Sequence, residues 1–242
     1  MTAIKIENLT KRYRDVLAVD GLTLSIEEGE LFSLLGINGA GKTTTMKMLS
    51  CLTSPTDGDA YLHGKSIRRD AAEVKRQIAV SPQENAVAPG LSVRENLALM
   101  CGVHGFSKER RDAKIKELTA LFGLESVIAR KAGKLSGGFQ RRLSIAMALI
   151  SEPQILFLDE PTLGLDVIAR SDLWEVIRSL KGKVTVLLTT HYMEEAEALS
   201  DRIAIMKDGK LLICDTAANI KETAGTESFE EAFVRIVKGV AR

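Results

Sequence analysis

Residues 31–45 read LFSLLGINGAGKTTT, an almost continuous apolar run that passes directly into a glycine-rich segment. A short apolar run without polar alternation is typical of a strand covered on both faces, as in a parallel sheet. This run leads into glycines and then into a helical pattern. We therefore expect a parallel α/β unit, with a strand over 31–35, as the core of the fold.

The segment from Gly36 to Thr43 fits the pattern GxxxxGK[ST] and lies between a predicted strand and a predicted helix, where its chemistry requires it. Glycines let the loop wrap so closely that successive backbone N–H groups point at phosphate oxygens. Lys42 would reach the β- and γ-phosphates, and the Thr43 hydroxyl would be offered to Mg²⁺. The residues predicted to bind phosphate in this loop are Gly36, Asn38, Gly39, Ala40, Gly41, Lys42, Thr43 and Thr44.

A second apolar run, residues 155–158, ends in the carboxylates Asp159 and Glu160. Active sites of open α/β sheets lie at the carboxyl ends of strands, so we expect both side chains near the phosphate loop. Asp159 is predicted to hold the Mg²⁺ shell, and Glu160 to reach the attacking water. No NKxD guanine-reading motif occurs, which favours adenine as the base and ATP as the nucleotide.

A third motif, Ser136-Gly137-Gly138, introduces a predicted helix. A hydroxyl and two glycines at a helix N-terminus form an anion cradle. One chain does not need two cradles for one nucleotide.

The order of the predicted elements indicates an insertion in the α/β core. Further buried strands are predicted near 78–80, 184–188, 202–206 and 210–214, with an Asp208-Gly209 hairpin turn between the last two. Over residues 86–152 the pattern is helical, with helices expected at about 93–103, 108–122 and 138–151 and a capping box at Ser92 and Glu95. Residues after 214 indicate two short helices.

Composition excludes several classes of protein. The chain has 33 Lys and Arg against 32 Asp and Glu, a net charge of +1, so nothing in its bulk charge predicts a nucleic-acid partner. The cysteines Cys51, Cys101 and Cys214 are far apart and form no CxxC pair, which fits a reducing cytoplasm. The first 15 residues contain no apolar signal segment, and no run of about 18 apolar residues predicts a membrane span.

Taken together, the phosphate loop, the Ser136 turn in a helical insertion, the pair at 159–160 and a histidine after the next strand resemble the ATP-binding cassette (ABC) ATPases. The resemblance covers residues 4 to about 215. It implies an α/β fold: a P-loop NTPase core with an N-terminal antiparallel β subdomain and an inserted α-helical subdomain. We expect one domain over 1–242, with the core at 1–85 and 153–215, the helical subdomain at 86–152 and a short helical tail at 216–242.

The resemblance also implies roles for single residues. Tyr13 resembles the aromatic residue that stacks on adenine, and Gln83 the glutamine that touches Mg²⁺ and water. Asp166 lies in a segment that resembles the D-loop and is placed to cap the following helix. His191 resembles the switch histidine that bonds the γ-phosphate, so Glu160, His191 and Gln83 are the expected catalytic residues.

The residue after the Ser136-Gly137-Gly138 motif departs from the common family pattern and bears on which subclass of ABC ATPases the chain resembles. Phe139 stands where many members carry Gln and where members that resemble drug and ion exporters often carry Met. Residues 190–196 and 228–233 also resemble ATPases of ABC-2 type exporters. The resemblance thus implies an Mg²⁺-dependent ATPase that closes head to tail with itself or a homologous subunit, so that the Ser136, Gly137 and Gly138 cradle serves the other chain's nucleotide.

Because no membrane span is predicted, transport would need a separately encoded permease, which would hold the chain at the cytoplasmic face of the membrane. Two alternatives stay open. One is a soluble ABC ATPase that serves as an assembly factor, for example in iron–sulfur assembly. The other, a regulator that binds nucleotide without turnover, is disfavoured because Glu160 and His191 are both present.

Overall fold

A computed structural model describes residues 1–239 as two β-sheets with helices packed against them. The smaller sheet is antiparallel and has the strand order β2-β1-β4-β5. Its strands are β1 (Thr2–Tyr13), β2 (Val16–Glu27), β4 (Asp57–Leu62) and β5 (Lys65–Ser66). The expected α/β fold with an N-terminal antiparallel sheet is confirmed.

The larger sheet has the strand order β10-β9-β3-β8-β7-β6, with only the edge strand β10 antiparallel to its neighbour. Its strands are β3 (Leu31–Leu35), β6 (Ile78–Ser81), β7 (Ile155–Asp159), β8 (Thr185–Thr190), β9 (Arg202–Lys207) and β10 (Lys210–Asp215). Every residue of β3, β7 and β8 is buried, as their unalternated sequences predict.

The predicted helices are present in the expected order, and the structure adds one that the sequence patterns did not predict, α2 (Ala71–Gln77). The helices of the structure are α1 (Lys42–Leu49), α2 (Ala71–Gln77), α3 (Val93–Val103), α4 (Lys108–Leu121), α5 (Gly137–Leu149), α6 (Val167–Ser179), α7 (Met193–Leu199), α8 (Ala217–Ala224) and α9 (Phe229–Lys238). Thus α3, α4 and α5 lie in the chain between β6 and β7. The capping box that begins α3 is present: Ser92 Oγ accepts from Glu95 N at 3.2 Å, and Glu95 Oε2 accepts from Ser92 N at 2.7 Å.

The two faces of the parallel sheet are covered by different elements. On β7, Leu156 and Leu158 belong to an apolar cluster with residues of α3 to α6, whereas Phe157 belongs to a second cluster with β1, β2, β4 and α1. A third cluster, which includes Phe229 and Phe233, packs α8 and α9 against β3, β9 and α7. Residues 216–239 therefore fold back onto the core. The last part of the predicted tail, 240–242, lies outside the described residues.

Residues 57–77 form strands β4 and β5 and helix α2, for which the sequence patterns carry no prediction. The strand β4 reads DGDAYL, with two aspartates and a glycine that are poor strand formers. It is stabilised by pairing with β1, where Ile4 lies opposite Leu62 and Ile6 opposite Ala60. The subdomain boundaries at 85/86 and 152/153 stay a prediction.

The register of the parallel strands fixes which residues meet at the carboxyl edge of the sheet. Leu35 of β3 pairs with Thr190 of β8, and Asp159 of β7 pairs with Thr189. Gly36, Glu160 and His191, the next residues on these strands, therefore leave the sheet at one edge. Within residues 1–239, no helix is both long and apolar enough to cross a bilayer.

Candidate active site

The phosphate loop connects β3 to α1 in a conformation that requires glycine. Gly41, the N-cap of α1, has φ 101°, and a Cβ there would lie 2.5 Å from the Ala18 carbonyl oxygen. A Cβ at Gly36 would lie 2.5 Å from the Met206 carbonyl oxygen. Both positions are too tight for a side chain, so the glycines of the motif are needed for the loop to pack against β2 and β9.

A cavity of about 800 Å³ opens over this loop. It brings together the loop and predicted catalytic residues from three other segments of the chain. The lining residues are Val16, Leu17, Ala18, Asn38, Gly39, Ala40, Gly41, Lys42, Thr43, Thr44, Gln83, Glu160, Leu163, His191 and Asp208. Gln83, Glu160 and His191 therefore lie around the same space as Lys42.

Lys42 is almost fully buried, at 5% exposure. Its Nζ donates to the Gly36 carbonyl at 2.7 Å and to the Ile37 carbonyl at 3.2 Å, so the side chain folds back over the loop. Burial lowers the pKa of Lys42, an effect that the nearby carboxylates of Glu160 and Asp159 oppose. A buried ammonium held by neutral carbonyls is a strong attractor for an anion such as a phosphate.

Asp159 stands directly beside the start of α1. Its Oδ1 accepts hydrogen bonds from Thr43 Oγ1 at 3.3 Å and from the Thr189 hydroxyl. A hydroxyl and a carboxylate beside a phosphate loop are the hard oxygen donors that Mg²⁺ prefers. Among the described residues no cluster of three His, Cys, Asp or Glu side chains forms a metal site by itself. The donor set fits an ion that takes phosphate oxygens as further ligands.

Glu160 has φ 46°, a left-handed conformation that is uncommon outside glycine. Its backbone N–H donates to the Thr189 carbonyl oxygen and to Thr189 Oγ1, both at 3.1 Å, and these bonds fix the unusual turn. His191 Nδ1 lies 3.2 Å from Glu160 Oε2, although the pair is not aligned as a hydrogen bond. The turn thus presents the Glu160 carboxylate to the cavity next to the imidazole.

Some predicted site residues are not among those that line the cavity. Ser136 and Gly137 are exposed at the start of α5, and the Ser136 side chain caps no backbone N–H. Asp166 caps α6 as predicted, accepting from Ala169 N at 2.9 Å, and is also exposed. Tyr13 is 43% exposed, with Lys11 Nζ 4.9 Å from the centre of its ring.

Sequence reasoning missed several cavity residues. Val16 belongs to no motif, Leu163 lies in the segment that resembles the D-loop, and Asp208 is predicted only as part of a turn; none is expected at the nucleotide, yet all three line the space over the loop. Asp208 belongs to the predicted hairpin turn, and Gly209 in that turn donates to the Ala40 carbonyl at 3.2 Å. Strand β9 pairs with β3, so the turn that follows β9 arrives beside the loop that follows β3. This pairing is the feature that would have identified Asp208.

The profile of a protein family described as "ABC transporter" matches residues 19–163 of the chain. The chain belongs to the ABC transporter family. This ABC ATPase is 44% identical over 209 residues to the Nod factor export ATP-binding protein I of Burkholderia lata, a match that covers 86% of the chain and 68% of that protein.

A second relative is the phospholipid-transporting ATPase ABCA3 of Mus musculus, 39% identical over 229 residues. That match covers 93% of the chain but only 13% of the length of ABCA3. The chain thus spans only a small part of the length of this relative.

Solved structures of other proteins share the fold. A structure described as the ATP-binding subunit of an ABC transporter superposes with a TM-score of 0.85 at 28% identity, covering 97% of this chain and 99% of that one. A dimeric ATP-binding cassette in a post-hydrolysis state, bound to ADP and Pi, superposes with a TM-score of 0.78 at 30% identity, covering 88% of this chain and 98% of that one. The expectation of an ABC ATPase domain is confirmed.

Proposed function

We propose that this ABC ATPase drives a membrane exporter: it hydrolyses ATP while paired head to tail with a second copy or a homologous subunit, and it docks onto a separately encoded permease. The observation that carries the proposal is the cavity over the phosphate loop. Lys42, Gln83, Glu160 and His191 surround it, whereas the anion cradle at Ser136 is not among its lining residues. The second cradle is therefore free to serve another chain.

ATP binding is assigned to the phosphate loop and to Tyr13 at the end of β1. The loop N–H groups of residues 38–44 and Lys42 would hold the phosphates, and Tyr13 would stack on adenine. Thr43, Asp159 and Gln83 would hold Mg²⁺. When bound, that ion supplies positive charge to the β- and γ-phosphate oxygens.

Hydrolysis needs a group that accepts a proton from the attacking water. We assign this role to the Glu160 carboxylate, which the Thr189 bonds hold at the cavity. His191 would donate a hydrogen bond to the γ-phosphate, and Gln83 would orient the water. The Ser136, Gly137 and Gly138 cradle of the opposing chain, with Asp166 at its D-loop, would complete the shell around the γ-phosphate.

The export direction is supported by the similarity to the Nod factor export ATP-binding protein I, and a transport role is supported by the similarity to the phospholipid-transporting ATPase ABCA3. Docking of a permease is supported by exposed apolar side chains on the inserted helices. Leu99 and Val103 of α3 are 51% and 69% exposed, and α3 follows the segment from Gln83 to Leu91 in the chain. We assign the permease contact to this surface, at the cytoplasmic face of the membrane.

The test begins with the neighbouring reading frames, which the proposed function expects to encode a polytopic membrane protein; that protein is co-expressed with this chain, and membrane isolation and affinity capture follow. Wild type should be captured with the membrane protein. A Leu99→Asp, Val103→Asp variant should lose most of that capture and keep its basal ATP turnover, because neither residue lines the cavity. The matched control is Val234→Asp on α9, which is also partly exposed and should behave as wild type. Recovery of only a soluble complex would instead support the assembly-factor alternative.

A further inference from the structure

Arg141 is a buried cation that no motif explains. It lies on α5, five residues after Ser136, and is only 3% exposed. Burial lowers its pKa to about 10, which leaves it charged at neutral pH. An arginine is rarely buried to this degree unless its donors are satisfied.

Its guanidinium bonds four backbone carbonyls. Arg141 Nε donates to the Pro161 carbonyl at 2.8 Å, and Nη2 donates to the Asp159 carbonyl at 2.8 Å. Nη1 donates to the Pro82 carbonyl and, at 3.4 Å, to the Gln83 carbonyl. One planar group thus clamps the residues on both sides of Glu160 to the segment that carries Gln83.

The shape of this group matters as well as its charge. A guanidinium presents five N–H donors in a rigid plane, so it holds its acceptors at fixed separations. A lysine at the same place carries a single point charge on a flexible stem and cannot span the same carbonyls.

We propose that Arg141 is a positioning residue for ATP hydrolysis, which sets the backbone of Gln83 relative to that of Glu160 and ties both to the helix that begins at Ser136. The proposal rests on the function proposed above, in which Gln83 and Glu160 act on the attacking water. It adds a physical link inside one chain: the helix that offers its N-terminus to the partner's nucleotide also holds the catalytic segments of its own.

The neighbouring Arg142 provides a matched control on the same helix. Its guanidinium bonds the Asp172 carboxylate and, at 3.4 Å, the Phe122 carbonyl, and it contacts none of the catalytic segments. Loss of either arginine removes a partly or fully buried cation from α5. Only loss of Arg141 removes the clamp.

The experiment compares Arg141→Gln, Arg141→Lys and Arg142→Gln in the full chain. A fluorescent ATP analogue counts the binding sites and gives the dissociation constant, and phosphate release gives kcat per bound site. We expect both Arg141 variants to bind ATP within about threefold of wild type and to lose about 10- to 100-fold in kcat, the order that a misplacement of about 1 Å costs. Arg142→Gln should keep the wild-type kcat.

The outcomes separate this proposal from the function on which it rests. If Arg141→Gln and Arg141→Lys keep the wild-type kcat per site while Glu160→Gln is inactive, the positioning role is overturned and the proposed function stands. If neither Arg141 variant retains ATP-binding sites, the residue serves folding alone and the positioning role is again overturned. If Glu160→Gln itself turns over ATP as wild type does, the proposed function fails.

Discussion

Glu160 is the residue on which the proposed hydrolysis depends, and it is held by its backbone rather than by its carboxylate. Both hydrogen bonds from its N–H go to Thr189, so an amide side chain should leave the turn intact. We expect Glu160→Gln to bind ATP with near wild-type affinity and to lose about 10²–10⁴-fold in turnover, the usual contribution of a general base. Nucleotide titration and phosphate release measure the two effects.

Lys42→Ala is expected to differ from Glu160→Gln in the step that it impairs. It removes the buried ammonium that faces the loop, so it should weaken ATP binding itself. Turnover of Glu160→Gln within about threefold of wild type would remove Glu160 from the mechanism.

Helix α7 begins two residues after His191. Its residue Glu195 ties the helix to Thr162 and to Trp174 of α6. Glu195 is fully buried; its Oε1 accepts from Thr162 Oγ1 at 2.8 Å and from Trp174 Nε1 at 3.2 Å, while Oε2 has no hydrogen-bond partner. Burial raises the pKa of Glu195, and the neighbouring polar groups of Thr190, Thr162 and Trp174 and the charge of Arg170 only partly oppose this. The folded state therefore favours the protonated carboxyl.

A pH dependence of stability follows. Above the ordinary Glu pKa of about 4.3, the unfolded chain has released a proton that the folded chain still holds, so the free energy of unfolding falls as the pH rises toward the raised folded pKa. Glu195→Gln mimics the protonated form and should remove this loss, at about 1.4 kcal/mol for each pKa unit. Urea unfolding of both proteins between pH 5 and pH 8 measures the slopes.

The control for this prediction is Glu197→Gln on the same helix. Glu197 is partly exposed and pairs with Lys221 at 2.9 Å, so its variant should keep the wild-type slope. Equal slopes for wild type and Glu195→Gln would show that Glu195 is ionised in the folded protein.

The whole molecule is predicted to act as a pair, because each chain has a phosphate loop and a separate cradle at Ser136. Lys42→Ala and Ser136→Arg homodimers should each be inactive, since every site contains one damaged half. In the mixed dimer, one site contains both substitutions. The other site combines the intact Lys42 of the Ser136→Arg chain with the intact Ser136 of the Lys42→Ala chain. Phosphate release should therefore return in part when the two variants are mixed.

A mixture of wild type with Lys42→Ala serves as the control. It tests whether one intact site of a dimer can hydrolyse ATP when the other site is damaged. Activity that survives in this control but not in the mixture of the two variants would refute the shared site. It would indicate that each chain uses its own Ser136 cradle.

Local patterns were enough to predict the strand, loop and helix around Lys42, the strand that ends in Asp159, the capping box at Ser92 and the hairpin turn at Asp208. In each case the physical cause lies within a few residues: glycines that permit a loop, a cap that satisfies a free N–H, or an apolar run long enough for one strand. The family resemblance then related these separate segments to one site.

Long-range contacts were needed for the rest. Strand β4 forms because β1 offers it a partner, and Asp208 reaches the cavity because β9 pairs with β3. Arg141 becomes buried and bonded only when β6 and β7 bring the carbonyls of Pro82 and Asp159 beside α5. The Arg141 contacts join residues 18 to 59 positions apart. No local pattern specifies any of these long-range contacts, because the free energy that holds them comes from burial and pairing in the folded chain.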